Sequence, residues 1–403
     1  MRFDRRQWIL GGTMASLSAL SAGVASPGLL ARANNWKGKT KGQLPTPCLV
    51  LDLDKFETNI EKMRRAAQEA GVDLRPHAKT HKCSQIAKAQ IGAAALGVCA
   101  ATISEAERLA TAGVTGILIT SEIVGPEKTG RLLALTRQRP ETMSVVDSIE
   151  QARSLNQAAR EGGVHLPVLI DVDPGGRRTG VAPGEPAIEL AMEVDRLDRL
   201  QLKGMHSYSG GSAHVIGFEA RKQHSQSAME APLQTFRYLK SKGLPMETCS
   251  GGSTGTYNIF SHLDGPTEMQ VGSYVFMDVD YIRIGGRNGD VYDDFQPSLT
   301  VIATVISRNH KGRATLDAGY KALATDRDFG PTVIDPEGVE YRFSGDEHGI
   351  LTFDEASHEI RLGDRVELIV PHCDPNVNLY DHMYCVRSGV VEDVWTIDAR
   401  GHV

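Results

Sequence analysis

Between residues 71 and 276, short apolar runs recur at 71–75, 95–100, 116–120, 142–146, 166–172, 201–206, 245–249 and 269–276. Segments with helical spacing separate them, such as Ser104-Glu-Ala-Glu-Arg-Leu-Ala110 and Ser148-Ile-Glu-Gln-Ala-Arg-Ser-Leu155. Strands that alternate with helices run parallel, and eight such units are the count of a (β/α)8 barrel of the TIM type. An open doubly wound sheet is the alternative, but no Gly-rich dinucleotide fingerprint follows the first strand. Near residue 290 the helical segments stop. The stretches 297–306, 313–317, 361–370, 384–391 and 394–397 alternate or run apolar without helices between them. The expected architecture is therefore a barrel over 48–290 followed by a smaller, mostly β domain over 291–403. Cys48–Leu53 reads as a strand leading into a helix capped by Asp54.

In a barrel, chemistry collects in the loops that follow the strands. The first such loop is Arg75-Pro-His-Ala-Lys-Thr-His-Lys82, where Pro76 blocks a smooth run into helix. Lys79 is expected on a short turn at the strand end, beside His77 and His81. A lysine crowded by cations and barrel wall loses proton affinity and becomes an amine nucleophile fit for a Schiff base. After the fifth strand comes Asp173-Pro-Gly-Gly-Arg-Arg-Thr-Gly180, a tight turn with Arg177 and Arg178. After the sixth comes Ser207-Tyr-Ser-Gly-Gly-Ser-Ala-His214, and after the seventh Ser250-Gly-Gly-Ser-Thr-Gly-Thr256. The last is a candidate phosphate nest, because glycines let backbone N–H groups approach an anion, and barrels commonly bind phosphate there. Each loop alone is more often an ordinary turn. A reactive lysine and a phosphate nest in one barrel point to pyridoxal phosphate.

The small domain holds Val370-Pro-His-Cys-Asp-Pro375, in which His372 and Asp374 at i, i+2 on an extended segment would face the same way. Imidazole plus carboxylate suits Mn²⁺, Mg²⁺ or Zn²⁺ and leaves positions for water and a substrate hydroxyl. Ser344-Gly-Asp-Glu-His-Gly349 adds polar groups that could orient those ligands.

The formal charge of −6 over 403 residues excludes a nucleic-acid binder, which needs a basic face. The chain opens on Asp4-Arg5-Arg6-Gln7-Trp8-Ile9-Leu10, a Gly/Ala/Ser-rich apolar run and Ala31-Arg32-Ala33. Paired arginines, a modest apolar region and a small-x-small site describe a twin-arginine-type export signal over 1–33, with 34–47 as a linker. Pro27 and the many small polar residues argue against a membrane anchor. Export of a folded, loaded enzyme to the periplasm is the expectation. Six cysteines at wide, irregular spacing form neither a zinc pattern nor a disulfide framework, so small buried residues are expected there.

Taken together, Thr46–Asp54, Arg75–His81, Ser250–Tyr257, Glu268–Asp278, Asp346–Gly349 and His372–Pro375 resemble the D-threonine aldolase, D-3-hydroxyaspartate aldolase and D-serine dehydratase group, of the alanine-racemase-like fold type III. The resemblance spans about 45–403. It implies that Lys79 is the Schiff-base lysine and that Arg178 faces the pyridine nitrogen, making the ring a weaker electron sink. It also implies cofactor contacts from Tyr208, Ser253, Gly255, Thr256, Tyr257 and Tyr274, with His214 as base beside Tyr208. His372 and Asp374 match the metal pair. The dehydratases carry His-x-Cys there, whereas here the cysteine is Cys373 and aspartate stands third, which leans toward an aldolase. The implied reaction cleaves a D-3-hydroxy amino acid into glycine and an aldehyde, in a homodimer whose β domain covers the partner's barrel mouth. Dehydration is the alternative on the same scaffold, and a metal-independent amino-acid racemase the nearest rival. A non-catalytic pyridoxal-phosphate carrier would lack the β domain, and a periplasmic amino-acid binding protein has no need of Lys79.

Overall fold

The computed structural model describes residues 36–401. The expected export signal lies outside these residues. Eight short parallel strands form the first sheet: β2 (Asp73–Leu74), β3 (Cys99–Ala100), β4 (Leu118–Ile119), β5 (Met143–Val146), β6 (Leu166–Asp171), β7 (Leu200–Ser207), β8 (Thr248–Gly251) and β9 (Glu268–Met269). They follow one another in order from β3 to β9, and β2 joins β9. The remaining seam closes through a parallel bridge between His77 and Cys99, with Leu96 and Cys99 donating their N–H groups to the carbonyls of Leu74 and Pro76, both at 2.8 Å. The result is a TIM-type barrel. Every residue of β5 and β6 is buried. Strands covered on both faces read as continuous apolar runs, so they were visible in the sequence.

The helices outside the barrel begin and end where side-chain chemistry directs. Helix 149–162 starts under Ser148, whose hydroxyl accepts from the Gln151 N–H, and stops at Gly163 with φ of 65°. Helix 53–70 buries Leu53, Phe56, Ile60, Met63 and Ala67, one stripe at helical spacing. Its cap is Asp52, not Asp54, because Asp52 is the last extended residue and its carboxylate accepts from the Lys55 N–H at 3.1 Å.

The second sheet has nine strands. They are β1 (Cys48–Asp52), β10 (Leu299–Ser307), β11 (Arg313–Leu316), β12 (Thr332–Asp335), β13 (Glu340–Phe343), β14 (Gly349–Thr352), β15 (Arg365–Ile369), β16 (His382–Arg387) and β17 (Val390–Thr396). Strand β1 does not open the barrel. It lies inside this sheet, antiparallel to β10 and parallel to β16. The run Cys48-Leu-Val-Leu is buried on both faces, a pattern that fits either sheet and so carries no address. The chain therefore starts in the β domain, enters the barrel through helix 53–70 and returns at β10. The stretch expected as a linker is also packed: Leu44 is fully buried and Lys41 pairs with Glu367 at 2.7 Å. The run expected over 384–391 is two strands, parted by a turn at Ser388 and Gly389 with φ of 50° and 78°.

The β domain docks on the barrel mouth through backbone and carboxylate. Val279 and Asp280 donate their N–H groups to the carbonyls of Val370 and Pro371, both at 3.1 Å. Asp278, fully buried, accepts from the Cys373 N–H at 2.8 Å and from the Tyr281 N–H at 2.9 Å. All six cysteines are buried and unpaired.

Candidate active site

A cavity of about 530 Å³ opens at the C-terminal ends of the barrel strands, under the docked edge of the β domain. Lys79, Arg178, Tyr208, His214, Ser253, His372 and Asp374 all line it. These residues bring four barrel loops and one β-domain segment around one space.

Lys79 sits in a single 3-10 turn, Ala78–Thr80, which His77 opens by accepting the Lys79 N–H on its own ring at 3.3 Å. Its Nζ is 3.7 Å from Asp374 Oδ2 and 5.8 Å from the centre of the Tyr208 ring. The Arg178 guanidinium is 5.3 Å from the same ring centre, so Tyr208 stands in contact with both cations. The expected loss of proton affinity at Lys79 does not occur in the chain alone. Burial is the largest influence and pulls its pKa down, but the Asp374 carboxylate, Tyr208 and Cys373 together hold it above the ordinary lysine value. The neighbouring histidines add little positive charge. Burial drives His77 well below the ordinary imidazole value and His81 down to about 4.

His372 caps the short helix Cys373–Val377, and Asp374 lies in its first turn, not on an extended segment as expected. Both still face the cavity. The His372 Nδ1 is 2.7 Å from Asp326 Oδ2, which leaves Nε2 for a metal. His214 is half-buried and tilted against Tyr281, with ring centres 4.8 Å apart. Burial lowers its pKa, with Asp280 opposing, so the ring is neutral near pH 7, as a base must be. Among the described residues, no group of three or more His, Cys, Asp or Glu forms a ready metal cage.

Of the phosphate loop, Ser253 and its neighbour Thr254 line the cavity, whereas Gly255, Thr256, Tyr257 and Tyr274 do not. Thr256 turns back, its Oγ1 accepting from the Ser253 N–H at 3.1 Å. A Cβ on Gly255 would run into the Ala213 carbonyl, so this glycine permits a backbone crossing. Tyr257 donates to Asp294 at 3.1 Å and Tyr274 accepts from Gln90 at 3.1 Å, each away from the cavity. The Asp346–Gly349 turn is also elsewhere, with Lys321 pairing to Glu347 at 2.6 Å. Arg177, beside Arg178 in the same turn, is exposed.

Several residues in or just behind the cavity wall escaped the sequence reading. His206 and Asp171, at the ends of β7 and β6, form a buried pair at 2.6 Å. Burial opposes both charges, yet each stabilises the other, so the His206 pKa rises and that of Asp171 falls. Glu122 lies nearby, pushed up to about 7 chiefly by burial. The signal for Asp171 was present: a lone carboxylate closing the apolar run Leu166-Pro-Val-Leu-Ile. Arg327, from the loop between β11 and β12, also reaches the cavity.

Residues 51–280 match the family profile described as alanine racemase, N-terminal domain, and 298–386 match that of a serine dehydratase domain. The 3-hydroxy-D-aspartate aldolase of Paracoccus denitrificans is 35% identical over 367 residues, covering 90% of this chain and 94% of that one. The solved D-threonine aldolase from Filomicrobium marinum has a TM-score of 0.86 at 39% identity, covering 91% of this chain and 98% of that one. The solved D-threo-3-hydroxyaspartate dehydratase from Delftia sp. HT23 has a TM-score of 0.80 at 30% identity, covering 90% of this chain and 99% of that one.

Proposed function

Since the chain belongs to the alanine racemase N-terminal domain family, and within it to the D-threonine and 3-hydroxy-D-aspartate aldolases, it is a pyridoxal-phosphate carbon–carbon lyase; we propose that it cleaves D-3-hydroxy amino acids with a divalent cation held by His372 and Asp374. The observation that carries the metal-assisted reading is the convergence of Lys79, His214, His372 and Asp374 on one cavity.

The residues present fit the cofactor. Thr80 Oγ1 and His206 Nε2 are buried polar atoms without a protein partner beside the cavity. Gly272 has no room for a Cβ, which would stand 2.5 Å from Thr80 Oγ1. Ser253, Thr254 and Ser273 would hold the phosphate, and Arg178 would face the ring nitrogen. Pyridoxal phosphate, once bound through Lys79, supplies the sink for the electron pair released when Cα–Cβ breaks. The donor set also fits a cation: one imidazole, oriented by Asp326, and one carboxylate. A divalent ion there supplies the Lewis acidity that lowers the pKa of the substrate β-hydroxyl. A mutant of a D-threo-3-hydroxyaspartate dehydratase was solved in a metal-free form, which supports a metal as a normal component of such sites.

In this reading Lys79 would hold the cofactor through its side-chain amine. His214, neutral near pH 7, takes the β-hydroxyl proton, and the C=O of the departing aldehyde forms as Cα–Cβ breaks. Tyr208 packs between Lys79 and Arg178 and keeps water from that face. The products are glycine and an aldehyde. Product analysis on D-threonine and D-3-hydroxyaspartate tests the proposal. Ammonia and a keto acid would instead support the dehydratase alternative that the C-terminal domain match favours. Optical inversion of a simple amino acid, unaffected by chelation, would make it a racemase.

The same reading includes a homodimer and export to the periplasm. Light scattering of the loaded protein and fractionation of cells carrying the native leader test these two points. A monomer, or activity confined to the cytoplasm, would contradict them. Among the described residues, no helix is long and apolar enough to cross a membrane.

A further inference from the structure

Across the cavity mouth two carboxylate oxygens are each shared between one arginine and one histidine. Asp280 Oδ2 accepts from Arg327 Nε at 2.9 Å, forms an ion pair with its second terminal nitrogen at 2.8 Å, and lies 3.3 Å from His214 Nδ1. Asp326 Oδ2 accepts from the other Arg327 terminal nitrogen at 2.8 Å and lies 2.7 Å from His372 Nδ1. His214 and Asp280 belong to barrel loops, whereas Asp326, Arg327 and His372 belong to the β domain. His214 Nδ1 faces Asp280 without hydrogen-bond alignment, whereas Arg327 Nε to Asp280, Arg327 to Asp326 and His372 to Asp326 are hydrogen bonds.

We propose that Arg327 is a positioning residue that locks the candidate base His214 and the candidate metal ligand His372 into one array through Asp280 and Asp326. The inference rests on the functional reading above. A guanidinium presents donors on separate edges of one rigid plane, so a single side chain fixes two carboxylates in a set relation; a lysine offers a point charge without that geometry. Without Arg327, Asp280 and Asp326 would each lose the guanidinium that they share. Asp326 would then no longer be held against His372 Nδ1, and the imidazole would lose the partner that aims Nε2. The arginine is itself well placed to act as a rivet. Its loop is pinned to the barrel by Phe329, whose ring lies 4.2 Å under the Arg283 guanidinium. On the other side, Asn376 accepts the Ala324 N–H at 2.9 Å and Tyr380 donates to the Ala322 carbonyl at 2.8 Å.

Arg327→Gln, Asp326→Asn and the double variant, each loaded with cofactor, are titrated with Mn²⁺ alone, the free ion being counted by electron paramagnetic resonance. The array predicts Mn²⁺ affinity weaker by about 10–100-fold in each single variant, as for other groups that orient a metal-bound imidazole. The double variant should be no weaker than the worse single, because both changes break one array. Arg327→Lys should fall between parent and Arg327→Gln, and kcat should drop with the affinity while the visible absorbance of the Lys79-bound cofactor stays. That absorbance reports folding. If Arg327→Gln loses it, Asp326→Asn carries the test. Mn²⁺ affinity equal to the parent's in both single variants, with the parent active and Mn²⁺-dependent, overturns the array alone. A parent that turns over substrate without binding Mn²⁺ overturns the metal reading and the array with it.

Discussion

Lys79 Nζ and Asp374 Oδ2 lie 3.7 Å apart, one from the first barrel loop and the other from the helix that follows β15. This contact joins the side of the cavity proposed for the cofactor to the side proposed for the metal, across the docking of the β domain on residues 278–280. Lys79→Ala should remove the visible absorbance of bound cofactor and abolish turnover, and Lys79→Arg should not restore either. An unchanged absorption spectrum in Lys79→Ala would contradict the assignment.

Gly272→Ala should loosen the cofactor without unfolding the chain. The added Cβ would meet Thr80 Oγ1 at 2.5 Å and the His77 carbonyl at 3.4 Å, pressing on the turn that carries Lys79. Overpacking of this kind costs about 1–3 kcal/mol. Fluorescence titration of apoprotein with pyridoxal phosphate should show weaker binding for the variant; equal affinity would mean the turn is free to yield.

Inside the barrel, Arg75 and Glu268 form a buried ion pair, Nε to Oε1 at 2.9 Å, and Ser250 donates to the same carboxylate at 2.6 Å. Arg75 also donates to the Gly116 carbonyl across the barrel. Removing one partner leaves an uncompensated buried charge, so Arg75→Met should destabilise the protein by about 3–5 kcal/mol. Adding Glu268→Gln to it should recover part of that loss. Urea unfolding measures both, and an Arg75→Met midpoint equal to the parent's would refute the role.

His81 gives stability a pH dependence of defined sign. Burial holds its folded pKa at about 4 against an unfolded value of 6.5, so the unfolded chain takes up the proton first as the pH falls. Its contribution is intact above pH ~6.5 and is lost as the pH drops toward ~4, by up to ~3 kcal/mol. The urea midpoint of the apoprotein should therefore fall less steeply with acid in His81→Asn than in the parent. Parallel slopes would show that His81 does not titrate in this window.

The barrel was legible because fully buried strands of parallel sheets leave continuous apolar runs at regular intervals, with Ser148 and Gly163 marking a helix between two of them. The positions of Lys79 and Ser253 on the cavity were legible because each sits in a loop with little else to explain it, and those of His372 and Asp374 because they follow a strand end, although they begin a short helix rather than an extended segment. Strand β1 was misplaced because Cys48-Leu-Val-Leu says only that both faces are covered. The resemblance placed Tyr257 and Tyr274 with the cofactor, but their hydroxyls meet Asp294 and Gln90 and neither residue lines the cavity. Arg327 could not be found at all from its loop. Its role depends on two carboxylates from opposite domains, and that is a tertiary relation with no local pattern.

The central claim is that cofactor lysine, base and metal pair act as one lyase site. The most direct test is aldehyde release from D-threonine and D-3-hydroxyaspartate by cofactor-loaded protein, measured before chelation, after it, and after adding Mn²⁺ back. Aldehyde and glycine in equal amounts, lost on chelation and restored by Mn²⁺, is the predicted result. Cleavage that proceeds unchanged in the chelated protein would contradict it.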